Sequence, residues 1–109
     1  MPGKTIESVT SACALLDELA RSFEPRRMAD LAAALNAAGH AWSNTKLYEL
    51  LQTLVAAGYA ECTRDGRYYL GTAYTRAAAA YVRHLTERAE HLRRQVAEIT
   101  QDLERIPNP

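Results

Sequence analysis

The chain has 109 residues, 48% of them hydrophobic and 24% charged, which suits one compact globular domain with at most a simple appendage. Thirteen Lys and Arg balance thirteen Asp and Glu, so no strongly basic surface is available and any electrostatic attraction must come from local clustering. Arg, Asp or Glu interrupts every apolar run before the roughly 18 residues of a bilayer-spanning helix, and Met1 to Glu7 lacks a signal-peptide core, so a cytoplasmic location is expected.

Along the chain, Ile6, Val9, Cys13, Leu16, Ala20 and Phe23 recur at intervals of three and four, the stripe of an amphipathic helix. Glu24-Pro25 closes it, because the residue before a proline is driven out of the α region. Cys13 reads as a small buried apolar residue of that helix and Cys62 as a strand residue. With no second Cys or His at ligand spacing beside either, neither a disulfide framework nor a metal site is expected. A second helix carries Met28, Leu31, Ala32 and Leu35 on one face and ends near Ala38-Gly39, where glycine suits a left-handed cap. Trp42 plugs the following turn, and Ser43 caps a third helix that runs to Ala56 or Ala57 before Gly58.

The period then changes. Tyr59 to Thr63 and Arg67 to Leu70 are short extended runs around Arg64-Asp65-Gly66, a strong hairpin signal because glycine accepts the positive φ the turn needs. Gly71 lets the chain leave the hairpin. From Ala73 to Ile106 there is no glycine or proline, and Pro107 is a stop. Ala78, Val82, Leu85, Ala89, Leu92, Val96, Ile99, Leu103 and Ile106 follow one another at alternating intervals of four and three. That strict heptad seam predicts a coiled coil, parallel or antiparallel, because a helix of about 50 Å has a stripe too long for so small a domain to cover. Val82, Leu85, Ala89, Leu92, Val96, Ile99, Leu103 and Ile106 are the expected dimer contacts. The fold class is therefore mainly α: a winged helix-turn-helix of three helices and a two-stranded β-hairpin over residues 1–72, then a dimerisation helix over 73–109.

On the third helix Leu47, Leu50, Leu51 and Leu54 share the face that should form the core. Thr45, Tyr48, Glu49 and Gln52 lie opposite, with Asn44 and Lys46 flanking the first turn. Hydroxyl, amide and carboxylate groups in that setting suit base edges and phosphates, and the open amides after Ser43 suit a phosphate. Up to Thr72 the acidic residues outnumber the basic ones by eight (Glu7, Asp17, Glu18, Glu24, Asp30, Glu49, Glu61, Asp65) to seven (Lys4, Arg21, Arg26, Arg27, Lys46, Arg64, Arg67). Five of those seven, Arg26, Arg27, Lys46, Arg64 and Arg67, fall on segments that in this motif face DNA.

Several segments resemble the DNA-binding domain of IclR-type transcription regulators: Ser8-Val9, Ala14 to Ala20, Asp30-Leu31-Ala32, Leu47 to Leu54, Ala57-Gly58-Tyr59 and Asp65 to Gly71. The likeness covers roughly residues 8–71, and the Leu-Tyr-x-Leu-Leu-Gln-Thr-Leu helix and Asp-Gly-Arg-Tyr-x-Leu-Gly hairpin carry most of it. It implies recognition residues at Thr45, Lys46, Tyr48, Glu49 and Gln52, with Arg67 in the wing. The turn from Asn36 to Ser43 is longer than the family's, Glu49 stands where those regulators often carry a basic residue, and the coiled-coil helix stands in place of their effector-binding domain. No small-molecule effector is expected on that account.

These readings converge on a homodimeric, sequence-specific protein for double-stranded DNA, most simply a transcription regulator. A winged-helix assembly adaptor that binds protein instead of DNA is the alternative. No phosphate-binding glycine loop and no Ser/His/Asp or Cys/His set is present, and His40, His84 and His91 are too scattered to share a metal. Neither enzyme activity nor a cofactor is expected.

Overall fold

The computed structural model describes residues 3–105. The elements are α1 (Glu7–Leu19), β1 (Arg26–Arg27), α2 (Met28–Ala37), α3 (Asn44–Ala57), β2 (Ala60–Cys62), β3 (Arg67–Leu70) and α4 (Thr72–Arg105). The chain divides into two units, Met1–Thr75 and Arg76–Pro109.

The core of the first unit is built of leucine. Leu15, Leu19, Leu31, Leu35, Leu47 and Leu51 are at most 2% exposed, and Leu54, Ala60 and Tyr68 complete the cluster. Each buried leucine contributes roughly 1.5 to 3 kcal/mol relative to its exposed state, so three short helices and a small sheet suffice. On α2, Leu31 and Leu35 are buried with Met28 and Ala32 packed against them, as the spacing requires.

The register of α1 differs from the expected one. Its inward face is Ser11, Leu15, Glu18 and Leu19, whereas Ile6, Val9 and Cys13 are exposed. The helix ends at Leu19 rather than at Glu24, and Phe23 stands wholly in solvent in the connection that follows. Two apolar stripes compete on this helix. The one carrying Leu15 and Leu19 wins because α2 and α3 present leucines to it. Cys13 and Cys62 are both exposed free thiols, so the expected burial of Cys13 is corrected by the same rotation.

The hairpin joins a third strand. β3 lies between β1 and β2, pairing antiparallel with both, Arg26 opposite Tyr68 and Ala60 opposite Leu70. A two-residue strand has no periodicity of its own, so the sequence showed only two of the three. At the hairpin tip the Gly66 amide donates to the Thr63 carbonyl, and Gly66 alone takes positive φ, at 82°. Arg64 and Asp65 thus form the centre of an ordinary turn, and Gly66 supplies the left-handed residue that returns the chain to β3. Gly71 is where β3 gives way to α4. Its Cα lies so close to the Gly58 carbonyl that a Cβ would overlap that oxygen, which explains the need for glycine at this position.

In α4 no side chain is buried. Val82, Leu85, Leu92, Val96, Ile99 and Leu103 are 46–63% exposed along one stripe, and Ala89 is partly covered. Ile106, the last residue of the expected seam, lies outside the described residues. Among the described residues no helix is long and apolar enough to cross a membrane.

Candidate nucleic-acid interface

Helix α3 starts where its sequence says it should. Ser43 is extended (φ −67°, ψ 157°) and its hydroxyl accepts the Lys46 amide at 3.1 Å, while Gly58 closes the helix in the left-handed region. Leu47, Leu51 and Leu54 fix the inward face, and Leu50 is only half-buried at its edge. Asn44, Thr45, Tyr48, Glu49 and Gln52 are all exposed on the other side, and Ser43 is exposed ahead of them. Among the described residues Asn44, Thr45 and the Glu49 carboxylate make no side-chain hydrogen bond, so their polar groups are available to a partner.

Both edges of this face are tied back. On the wing side the Gln52 Nε2 donates to the Tyr68 hydroxyl at 3.4 Å. Tyr68 is buried, and burial pushes its hydroxyl above the usual tyrosine range, with the adjacent Cys62 thiol adding to the shift, so it remains a neutral phenol. On the α1 side Lys46 is half-buried. Its Nζ lies 3.1 Å from the Glu7 carboxylate and 5.1 Å from the centroid of the Trp42 ring. Trp42 packs against the core, and its ring lies 5.2 Å from that of His40 at a tilt of 37°, which fits the expected role of plugging the turn.

The arginines sort into three kinds. Arg26, expected to face DNA, instead turns toward the domain. It is half-buried and donates from Nη1 to the Glu18 carboxylate at 2.8 Å and from Nη2 to the Glu18 carbonyl. Glu18 is a buried carboxylate on the inward face of α1, and an unpaired charge there would be costly, so Arg26 neutralises it. Arg27 and Arg67 sit opposite each other across β1 and β3, a repulsive arrangement offset by Asp65. The Asp65 carboxylate lies 3.0 Å from Arg67 Nε and 4.0 Å from Arg27 Nη2. The Thr63 hydroxyl, then the residue's own backbone amide and Arg67, hold the Asp65 carboxyl below the usual range. Arg64, exposed at the tip, has no carboxylate within ion-pair distance among the described residues.

Sequence reasoning therefore placed the polar face of α3 and the hairpin arginines, but missed Glu7, Glu18 and Tyr68, the partners that occupy several of those groups. Asp65 was read only as a turn residue, although it lies two residues from Arg67. Glu7 is 39 residues from Lys46, and no local pattern joins them.

Helices α1 and α2 packed about α3, with a hairpin behind it, decide the architecture. This is a winged helix followed by a long helix. No protein-family description matches the chain, and no curated protein sequence does. Among solved structures the fold is similar to that of HmgR from Pseudomonas aeruginosa, with a TM-score of 0.65 and 22% sequence identity over 74% of this chain. The match spans 33% of that protein, about a third of its length. A likeness at this identity carries the winged-helix fold and leaves the function to be argued from the residues.

Proposed function

We propose that the protein is a homodimeric, sequence-specific binder of double-stranded DNA that acts as a transcription regulator. The observation that carries this reading is the exposed polar face of α3. Asn44, Thr45, Tyr48, Glu49 and Gln52 project away from the leucine core beside a hairpin that bears Arg64 and Arg67. A helix of this kind inserts in the major groove, where Glu49 accepts from a cytosine amino group and Gln52 meets an adenine edge. Ser43, Asn44, Lys46 and Tyr48 adjoin the backbone at the helix start, and Arg27, Arg64 and Arg67 meet it along the wing. The resemblance to IclR-type regulators supports the same surface. Arg26, engaged with Glu18, serves the fold.

The stripe from Val82 to Leu103 supports dimerisation, because a continuous apolar seam at heptad spacing is covered when it meets a second helix. A dimer presents two copies of α3 to a two-fold symmetric site. Selection of bound duplexes from a random DNA pool tests the proposal: enrichment of a two-fold symmetric sequence is expected, and no binding to any duplex at low salt would refute it.

One observation favours a protein partner instead. Ser8, Val9, Ala12, Cys13 and Leu16 of α1 form, with Leu50, Thr53 and Leu54 of α3, an open apolar groove of about 430 Å³. A winged helix used as an assembly adaptor would dock its partner there, and such a protein would enrich no DNA sequence in the same selection.

A further inference from the structure

Lys46 stands at the first turn of the helix that the DNA-binding reading puts in the groove, yet its charge is already occupied. The Glu7 carboxylate, reaching from the first turn of α1, accepts from the Lys46 Nζ at 3.1 Å. The same ammonium lies over the Trp42 ring at 5.1 Å, and the aromatic face favours a cation there. The Lys46 side chain is 30% exposed and that of Glu7 is 85% exposed. Carboxylate, ammonium and indole thus form one cluster at the α1 edge of the exposed α3 face, in the place where a backbone phosphate would meet Lys46.

We propose that Glu7 sets the affinity of this protein for DNA by holding the Lys46 ammonium, so that a backbone phosphate must replace the Glu7 carboxylate before Lys46 contacts it. The proposal rests on the DNA-binding reading of α3. Two consequences follow from elementary electrostatics. A lysine that is already neutralised releases no net counterion when it exchanges one anion for another, because the freed Glu7 takes up a cation in its turn. Lys46 then adds nothing to the salt dependence of binding, although it touches phosphate. Removing the Glu7 charge restores an ordinary lysine, which tightens binding and steepens its salt dependence together.

The test is a double-mutant cycle on the full chain with Glu7→Gln and Lys46→Met, read by fluorescence anisotropy on a duplex taken from the random-pool selection over a series of salt concentrations. Methionine keeps an unbranched apolar stem over Trp42, and Glu7 is exposed, so circular dichroism melts should confirm that all variants stay folded. Glu7→Gln is expected to tighten binding about two- to fivefold per subunit, the scale of an exposed ion pair. It should also steepen the plot of log K against log salt by roughly 0.9 per subunit. Both effects should vanish when Lys46 is methionine. If Glu7→Gln tightens binding as much in the Lys46→Met background, Glu7 is only a general repulsive charge and the proposal fails. If Glu7→Gln leaves affinity and slope unchanged while Lys46→Met weakens binding, the ion pair does not compete with phosphate and the proposal fails alone. If the wild type enriches and binds no duplex, the DNA-binding reading falls and takes this proposal with it.

Discussion

Arg26 and Gly71 show how single residues carry the fold. Arg26 looks like a surface cation, but its guanidinium clamps a buried carboxylate on α1 and ties β1 to that helix. Removing it leaves Glu18 without its closest partner, Arg21 being exposed and 3.6 Å away. Arg26→Ala is expected to cost about 3 kcal/mol of stability, the scale of breaking a buried pair from one side, read as a lowered denaturation midpoint in urea. Replacing Glu18 and Arg26 together, by Gln and Met, should cost less than Arg26→Ala alone, because no charge is then left stranded. Gly71→Ala acts through sterics. A Cβ there meets the carbonyl of Gly58 and the amide of Ala60, both backbone and both unable to swing aside. We expect at least about 3 kcal/mol of destabilisation, at the upper end of overpacking costs. Gly66→Ala at the open hairpin tip should cost only about 1 kcal/mol through its positive φ.

At the scale of the element, α3 was the most legible part of the molecule. Ser43, the buried leucines and Gly58 mark its start, its inward face and its end by interactions that reach no further than a few residues. The polar face follows by subtraction. The tertiary structure adds that the Gln52 amide is oriented by the Tyr68 hydroxyl. Gln52→Ala should relax the preference at one base position in each half-site with the melting temperature nearly unchanged, whereas Lys46→Ala should weaken binding to every sequence. Tyr68→Phe should reproduce part of the Gln52→Ala effect on base preference, since the ring still fills the core while the hydroxyl is lost. Its cost in stability should be about 1 kcal/mol, that of one hydrogen bond. Unchanged base preference in both variants would show that Gln52 does not read DNA. Helix α1 was less legible, because Ile6, Val9 and Cys13 repeat as regularly as the residues that are buried.

For the whole molecule, the two properties to measure are association and charge. Replacing Leu92 and Ile99 by Asp puts two carboxylates into each copy of the proposed seam, and light scattering should then report monomers while the first unit stays folded. A double variant still dimeric at micromolar concentration would place the dimer contact elsewhere. Electrostatically the proposed complex should be lean. Arg64 brings one charge with no carboxylate beside it among the described residues, Arg27 and Arg67 share one Asp65, and Lys46 is balanced by Glu7. That leaves about two net charges per subunit and a slope of log K against log salt of roughly −3.6 for a dimer. A slope twice as steep would mean that Arg27, Lys46, Arg64 and Arg67 each count in full, with Glu7 and Asp65 offsetting none of them.

Sequence alone determined what depends on near neighbours: the three helices and their order, the Ser43 cap, the glycine stops, the hairpin and the unbroken heptad stripe. Each arises from hydrogen bonds or periodicities within about one or two turns of chain, and those survive in any reading of the residues. The tertiary structure decided what depends on residues far apart in the chain. It chose which of two apolar faces of α1 is buried, since that choice rests on the leucines that α2 and α3 bring to meet it. It also turned Arg26 toward Glu18 and recruited Arg26 and Arg27 as a third strand. It placed Glu7 against Lys46 across 39 residues. A charge read from sequence is only a sign; the fold brings its partner and so decides whether it remains available to bind anything else.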